Sequence, residues 1–168
     1  MKKLLLLVVL VGGGGWWYFI GGRTITEDHV NRFYEEYQAA TLDRKPEVLC
    51  AMLAADFQGT GSVEVGGQTR QATQNKDEAC KGFTDTYAII EKLGEKMGGI
   101  MQLDSSYKIS SIEIQPDRKS AIVEYVTSMD VGGTVMNIRS RDKDTLIRRN
   151  GKVLMLRNEA TGSIRSGG

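Results

Sequence analysis

Residues 107–161 decide the fold, and their sequence is YKISSIEIQPDRKSAIVEYVTSMDVGGTVMNIRSRDKDTLIRRNGKVLMLRNEAT. Apolar and polar residues alternate through most of this stretch, which is typical of half-buried β-strands. Turn signals interrupt the alternation at Pro116-Asp117, Gly132-Gly133 and Asn150-Gly151. Asn-Gly is the strongest hairpin signal among them. The stretch therefore predicts a meander of four strands.

The predicted strands cover about 107–114, 121–130, 135–148 and 152–161. A slip in the alternation at Ser110-Ser111 indicates a β-bulge in the first of them. In the second strand we expect Val123, Tyr125 and Met129 to face the core. The opposite face, with Glu124 and Asp130, would then lie in water.

Upstream of the meander the sequence predicts three helices and two strands. The first helix begins near Thr24 or Thr26 and ends near Thr41; its apolar positions are Val30, Phe33, Tyr34, Tyr37 and Ala40. Pro46 begins a short second helix, and Asn75 caps a long third helix that ends at Gly98-Gly99. Between the last two we expect strands at 57–65 and 68–72, joined by Gly66-Gly67.

This order of elements predicts an α+β fold in which a curved antiparallel sheet wraps on three helices and encloses a cone. The domain organisation has three parts. They are an N-terminal transmembrane helix at 1–22, the cone domain at 23–162 and a flexible tail at 163–168.

The N-terminal segment has the character of a membrane anchor. Lys2 and Lys3 precede 17 uncharged residues, from Leu4 to Ile20, that would span about 25 Å as a helix. Trp16, Trp17 and Tyr18 are residue types that settle at a membrane–water interface, as the lysines do at the cytoplasmic end. We expect a single-pass protein of a bacterial inner membrane, bound to lipid through this helix, with its C-terminal domain in the periplasm.

Cleavage of the segment as a secretory signal is the alternative. Gly13-Gly14-Gly15 could form the small-residue cleavage site, which would leave Trp16 as the new N-terminus. The apolar sequence resumes after the glycines, and this favours an anchor that is retained.

Two cysteines and the overall charge limit the classes of function. Cys50 and Cys80 lie on apolar faces of predicted helices, and export would allow a disulfide between them; two buried thiols are the alternative. Their spacing does not suggest a metal site, and no cofactor is expected. The formal net charge is +1, so we do not expect nucleic-acid binding. The basic residues near 139–152 alternate with Asp142 and Asp144, which we interpret as a solvated face.

The body resembles the nuclear transport factor 2-like superfamily, also called the SnoaL-like or cystatin-like cone. The resemblance covers roughly residues 25–161 and rests on the element order and on Leu53-Ala54-Ala55-Asp56-Phe57, which we place at the end of the second helix. It implies either an enzyme, such as an isomerase or dehydratase, or a binding or dimerising domain. An anchor followed by such a domain is also similar to the inner-membrane bridge subunits of type IV secretion systems.

Within that resemblance, the candidate polar groups of a cavity are Tyr34, Asp56, Tyr107 and Tyr125. His29 is interpreted as a solvated surface residue, and no catalytic set is recognised in the sequence. The function expected first is therefore a membrane-anchored periplasmic binding or scaffold domain, a small accessory subunit of a membrane complex with a protein partner or a second copy. The alternative is a small-molecule-binding protein or an isomerase- or dehydratase-type enzyme that uses the cone.

Overall fold

The computed structural model describes residues 22–65, 68–96, 98–99, 102–133 and 136–166. Residues 1–21 of the proposed anchor, including Lys2, Lys3, Trp16, Trp17 and Tyr18, lie outside the described residues. Within those ranges, none of the helices combines the length and the apolar character needed to cross a bilayer.

Three helices form where caps and apolar spacing predict them. Helix α1 spans Glu27–Leu42, and the backbone N–H of His29 donates to the side chain of its N-cap, Thr26. Helix α2 spans Pro46–Ala51, and helix α3 spans Lys76–Lys96. Asn75 and Glu78 form a reciprocal capping box at the start of α3, with bonds of 3.0 and 2.8 Å.

Six strands form one sheet in the order β2-β1-β6-β5-β4-β3. Their bounds are β1 Leu53–Val65, β2 Gln68–Asn75, β3 Leu103–Ile114, β4 Ser120–Val131, β5 Met136–Arg149 and β6 Lys152–Ser166. Four neighbouring pairs are antiparallel, but β1 and β6 run parallel. The prediction of a wholly antiparallel sheet was wrong at this pair, which joins the two ends of the domain.

Turn chemistry fixes the register of the meander. Asn150 and Gly151 both have positive φ, at 52° and 79°, as a two-residue hairpin turn requires. The predicted bulge is present, because the pairing of β3 with β4 shifts between Ile109 and Ser111.

Two predicted boundaries need correction. Leu53 to Phe57 belong to β1, since α2 ends at Ala51 and strand pairing begins at Leu53. At the other end β6 continues into the stretch predicted to be a flexible tail, and Ser163 pairs with Arg139 of β5.

The helices cover one face of the sheet, and the core lies between the two layers. Its buried members come from α1 (Val30, Phe33, Tyr34), from β1 (Leu53, Phe57) and from the meander (Val123, Leu146, Met155). A disulfide joins Cys50 of α2 to Cys80 of α3, with 5.1 Å between the Cα atoms. This bond holds two helices of the same layer together.

Candidate functional site

A cavity of about 440 Å³ lies between the helices and the concave face of the sheet. Aromatic side chains form much of its wall, among them Tyr37 of α1, Phe83 and Tyr87 of α3, and Tyr107 and Tyr125 of the sheet. Polar groups are fewer and include Thr127, Ser140, Asp142 and Asn158. An apolar cavity with a few convergent polar groups is the usual form of a small-molecule site.

The strand period brings the polar groups together on the sheet. Ser140, Asp142 and Asp144 are two residues apart on β5, so their side chains share one face. Across the ladders, Tyr125 of β4 lies opposite Asp142, and Asn158 of β6 lies opposite Asp144. The sheet register thus places two carboxyl groups, an amide and a phenol side by side beneath the helices.

Asp144 is fully buried, with no exposed surface. Its carboxylate accepts hydrogen bonds from the Tyr34 hydroxyl at 2.7 Å and from the Asn158 amide at 2.8 Å. Burial raises the pKa of Asp144 to about 6, although the hydrogen bonds from Asn158, Tyr34 and Tyr125 oppose the rise. The helix α1 and the last two strands are therefore joined through one carboxyl group.

Asp142 lies on the cavity wall and is half-buried. The Ser140 hydroxyl donates to its Oδ2 at 2.5 Å. Burial raises the pKa of Asp142, and hydrogen bonds from Ser140, Asn158 and Thr127 lower it in part. Asp142 is thus the carboxyl group that a molecule in the cavity would meet.

The tyrosines form a packed cluster around the carboxyl groups. The Tyr34 ring centroid lies 4.9 Å from that of Tyr125 and 5.6 Å from that of Tyr107. Burial raises the pKa of Tyr34, Tyr37 and Tyr125 above its usual value, and the charge of Asp144 adds to the effect. These phenols stay protonated at neutral pH and can act as hydrogen-bond donors.

The structure brings three of the four predicted cavity residues together. Tyr34, Tyr107 and Tyr125 all line the cavity. Asp56 does not: it is exposed, and its two carboxylate oxygens bind Arg149 at 2.6 and 3.0 Å. It lies where the pairing of β1 with β6 is interrupted between Leu53 and Gln58, so it is not part of the cavity.

Other acids and the histidine lie away from the cavity. Val123 and Tyr125 are buried and Glu124 is exposed, as the alternation predicted for β4. Glu124 lies on the outer face, 3.8 Å from Lys143. His29 is half-buried rather than fully solvated, because its Nδ1 contacts the Thr26 hydroxyl at 2.9 Å.

Sequence reasoning missed Asp142, Asp144 and Asn158. It assigned the two acids to a solvated face because their charges alternate with those of Arg141 and Lys143. In a strand, however, successive side chains point to opposite faces of the sheet. Acidic and basic residues that alternate along the strand therefore lie on opposite faces. In β5 the acids face the cavity.

The described residues show no group of three or more histidine, cysteine or acidic side chains arranged to hold a metal ion. The carboxyl, amide and phenol groups of the cavity wall can carry hydrogen bonding and proton transfer.

Sequence comparison identifies no relative, since no protein-family profile and no curated protein matches this chain. Comparison of structures finds proteins of similar fold. A provisionally assigned scytalone dehydratase from Novosphingobium aromaticivorans has a TM-score of 0.61 and 14% identity, over 83% of this chain and 86% of that one. A nuclear transport factor 2-like protein of unknown function from Shewanella oneidensis has a TM-score of 0.60 and 11% identity, over 82% of this chain and 99% of that one.

A third similar structure is a ketosteroid isomerase-like protein from Erwinia carotovora atroseptica. Its TM-score is 0.55 and its identity 16%, over 80% of this chain and 94% of that one. At such identities the likeness concerns the fold. The chain has the nuclear transport factor 2-like cone fold, in which a curved six-stranded sheet encloses a cavity beneath three helices.

Proposed function

We propose that this protein binds a small, largely apolar molecule in the cone cavity and orients it through Asp142. The observation that carries the proposal is the position of that carboxyl group, on the wall of a cavity whose other lining is mainly aromatic and apolar. A polar group in such a place fixes the orientation of a ligand whose remaining surface is desolvated.

The test is a screen of the full-length chain, in mild detergent, against aromatic fragments of different charge by ligand-observed NMR. Gly82 lines the cavity, and a Cβ atom there would meet no atom of another element within 4 Å, so Gly82→Phe is chosen to narrow the cavity. Gly61→Phe is the matched control, because Gly61 also has open space but lies outside the cavity.

Fragments that bind the wild type and Gly61→Phe but lose binding in Gly82→Phe would support the proposal. Binding that is insensitive to Gly82→Phe, or no binding by any fragment, would reject it.

Proton transfer of the isomerase or dehydratase type is the second candidate function. Two observations favour it: the raised pKa of Asp142, and the likeness in fold to a ketosteroid isomerase-like protein and a provisional dehydratase. A carboxyl group with its pKa moved toward neutrality can exchange a proton with a bound substrate. For a substrate of that class, Asp142→Asn should abolish turnover but retain binding; full turnover in the variant would exclude the role.

We also propose that the domain faces the periplasm of a bacterium, behind the N-terminal anchor. The disulfide between Cys50 and Cys80 supports export, because such bonds persist in oxidising compartments. The intact mass of C-terminally tagged protein extracted from membranes tests this. The mass of the full-length chain would support a retained anchor. The mass of a chain that begins at Trp16 would show cleavage.

We also propose that the domain binds a protein partner or a second copy of itself, in addition to a ligand in the cavity. Ile89 and Leu93 are exposed by 58% and 41% and lie one turn apart on α3, where they could contact another protein. If so, Ile89→Ser with Leu93→Ser should release a partner that co-purifies with the wild type. Co-purification of the same partner with the double variant would exclude this surface.

A further inference from the structure

The charge of the cavity wall has one sign. Asp142 lies on the wall, and the fully buried Asp144 follows two residues later on the same face of β5. None of the described residues that line the cavity is a lysine, an arginine or a histidine. An anionic ligand would therefore meet the Asp142 carboxyl group in a desolvated space, with no compensating cation among the described lining residues.

The hydrogen-bond partners of Asp142 are all neutral. The Ser140 hydroxyl donates to its carboxylate, and the neutral side chains of Asn158 and Thr127 also lower the pKa of Asp142. None of the ion pairs within the described ranges includes Asp142. Its negative charge is thus stabilised by dipoles alone, although buried carboxylates are commonly paired with a cation.

The aromatic lining adds a second preference for positive charge. Tyr37, Tyr87, Tyr107 and Tyr125 lie around the cavity, together with Phe83. Aromatic faces attract ammonium groups through the negative charge above the ring plane, and this attraction is stronger where water is excluded. The carboxylate and the rings therefore favour the same kind of ligand.

We propose that the ligand of the cone is an apolar molecule with one protonated amine, and that the amine binds against Asp142 among the tyrosine rings. This inference rests on the proposed small-molecule site and specifies its chemistry. A neutral ligand would gain hydrogen bonds there but no charge pairing. A carboxylate or phosphate would be repelled.

The test compares three ligands of similar shape and different charge: benzylamine, benzyl alcohol and benzoate. Their dissociation constants are measured by NMR titration of the full-length chain in mild detergent, at a mildly alkaline pH where Asp142 is ionised and the amine is still protonated. We expect benzylamine to bind at least about tenfold more tightly than benzyl alcohol, and benzoate to bind most weakly.

Asp142→Asn should reduce the preference for benzylamine over benzyl alcohol to about twofold or less. Glu124→Gln is the matched control, because it removes the same charge from the exposed outer face and should leave the preference intact. Comparing one ligand across variants also cancels its partition into detergent. If Asp142→Asn does not fold, the order of the three dissociation constants for the wild type still tests the proposed preference for an amine.

Equal or tighter binding of benzyl alcohol or benzoate to the wild type would overturn the inference but leave the small-molecule site in place. A preference for benzylamine that survives Asp142→Asn would also overturn it. If none of the three compounds binds, the small-molecule site itself is refuted, and the charge preference with it.

Discussion

Asp144 has no exposed surface, yet it carries a group that can ionise. Its pKa is about 6 in the folded protein, against an ordinary value of 3.8. Between these values the unfolded chain loses a proton that the folded protein retains. The contribution of Asp144 to stability is therefore full at low pH and is lost as the pH rises through 6.

The first prediction is a change in the pH dependence of stability on Asp144→Asn. The asparagine cannot ionise, so the free energy of unfolding of the wild type, measured relative to the variant, should fall by about 3 kcal/mol between about pH 4 and pH 7. Denaturant unfolding across this range measures it.

Asp56→Asn is the control for this prediction. The exposed Arg149 holds the pKa of Asp56 below its usual value, so the corresponding difference should rise with pH, and by less because water screens the pair. If the difference in free energy of unfolding between the wild type and Asp144→Asn did not change with pH, a raised pKa of Asp144 would be contradicted.

The second prediction concerns the hydroxyl group of Tyr34. Tyr34→Phe removes the donor at 2.7 Å from Asp144 and leaves a buried carboxylate short of one bond. At neutral pH we expect a loss of about 1.5–3 kcal/mol in the free energy of unfolding. Tyr87→Phe is the matched control, since its hydroxyl donates at 3.2 Å to the neutral carbonyl of Thr41 and should cost about 1 kcal/mol. Equal losses of stability in Tyr34→Phe and Tyr87→Phe would show that the bond to the Asp144 carboxylate contributes no more than a bond to a neutral carbonyl.

At the scale of residues, the sequence predicted apolar positions better than buried charges. Val30, Phe33 and Tyr34 follow from helical spacing because each apolar residue has only one favourable face. The burial of Asp144 does not, because it depends on Tyr34 and Asn158, which are 110 and 14 residues away. Only the register of three separate elements makes that burial tolerable.

At the scale of elements, the disulfide joins the short helix α2 to α3. The two cysteines are 30 residues apart, and their neighbours Leu49 and Ala79 line the cavity. The bond therefore restrains a part of the cavity wall as well as the unfolded chain.

The third prediction is that Cys50→Ser with Cys80→Ser lowers the free energy of unfolding by about 3–4 kcal/mol, from the loss of a cross-link over this length of chain. Denaturant unfolding measures it, and a reducing agent should produce a similar loss in the wild type but none in the double variant. A double variant as stable as the oxidised wild type would mean that the bond does not restrain the chain.

Local signals predicted the elements whose ends have clear chemistry. Asn150-Gly151 predicted one hairpin, and Asn75 predicted the start of α3, where the structure adds Glu78 to the cap. The parallel pairing of β1 with β6 has no comparable signal, because more than a hundred residues separate Leu53 from its partner Met155. The assignment of 53–57 to a helix end failed because this short apolar run fits a helix or a buried strand equally well.

At the scale of the whole molecule, the cone is a consequence of layering. Helices cover only the concave face of the sheet, and the cavity is the space that their side chains leave unfilled. No single element predicts which side chains line the cavity, since all three described helices and all six strands contribute to its wall. The resemblance in element order predicted the fold, and the position of Asp142 now suggests what the fold does.

The most direct test of a small-molecule site in the cone uses two residues of the same strand. Met129 of β4 lines the cavity, whereas Val126 lies on the opposite face with 41% of its surface exposed. Intermolecular nuclear Overhauser effects are measured from a bound aromatic fragment to the methyl groups of both residues in the full-length chain. If the cone binds the fragment, effects to Met129 and none to Val126 are expected. Effects to Val126 alone, or to neither residue, would contradict it.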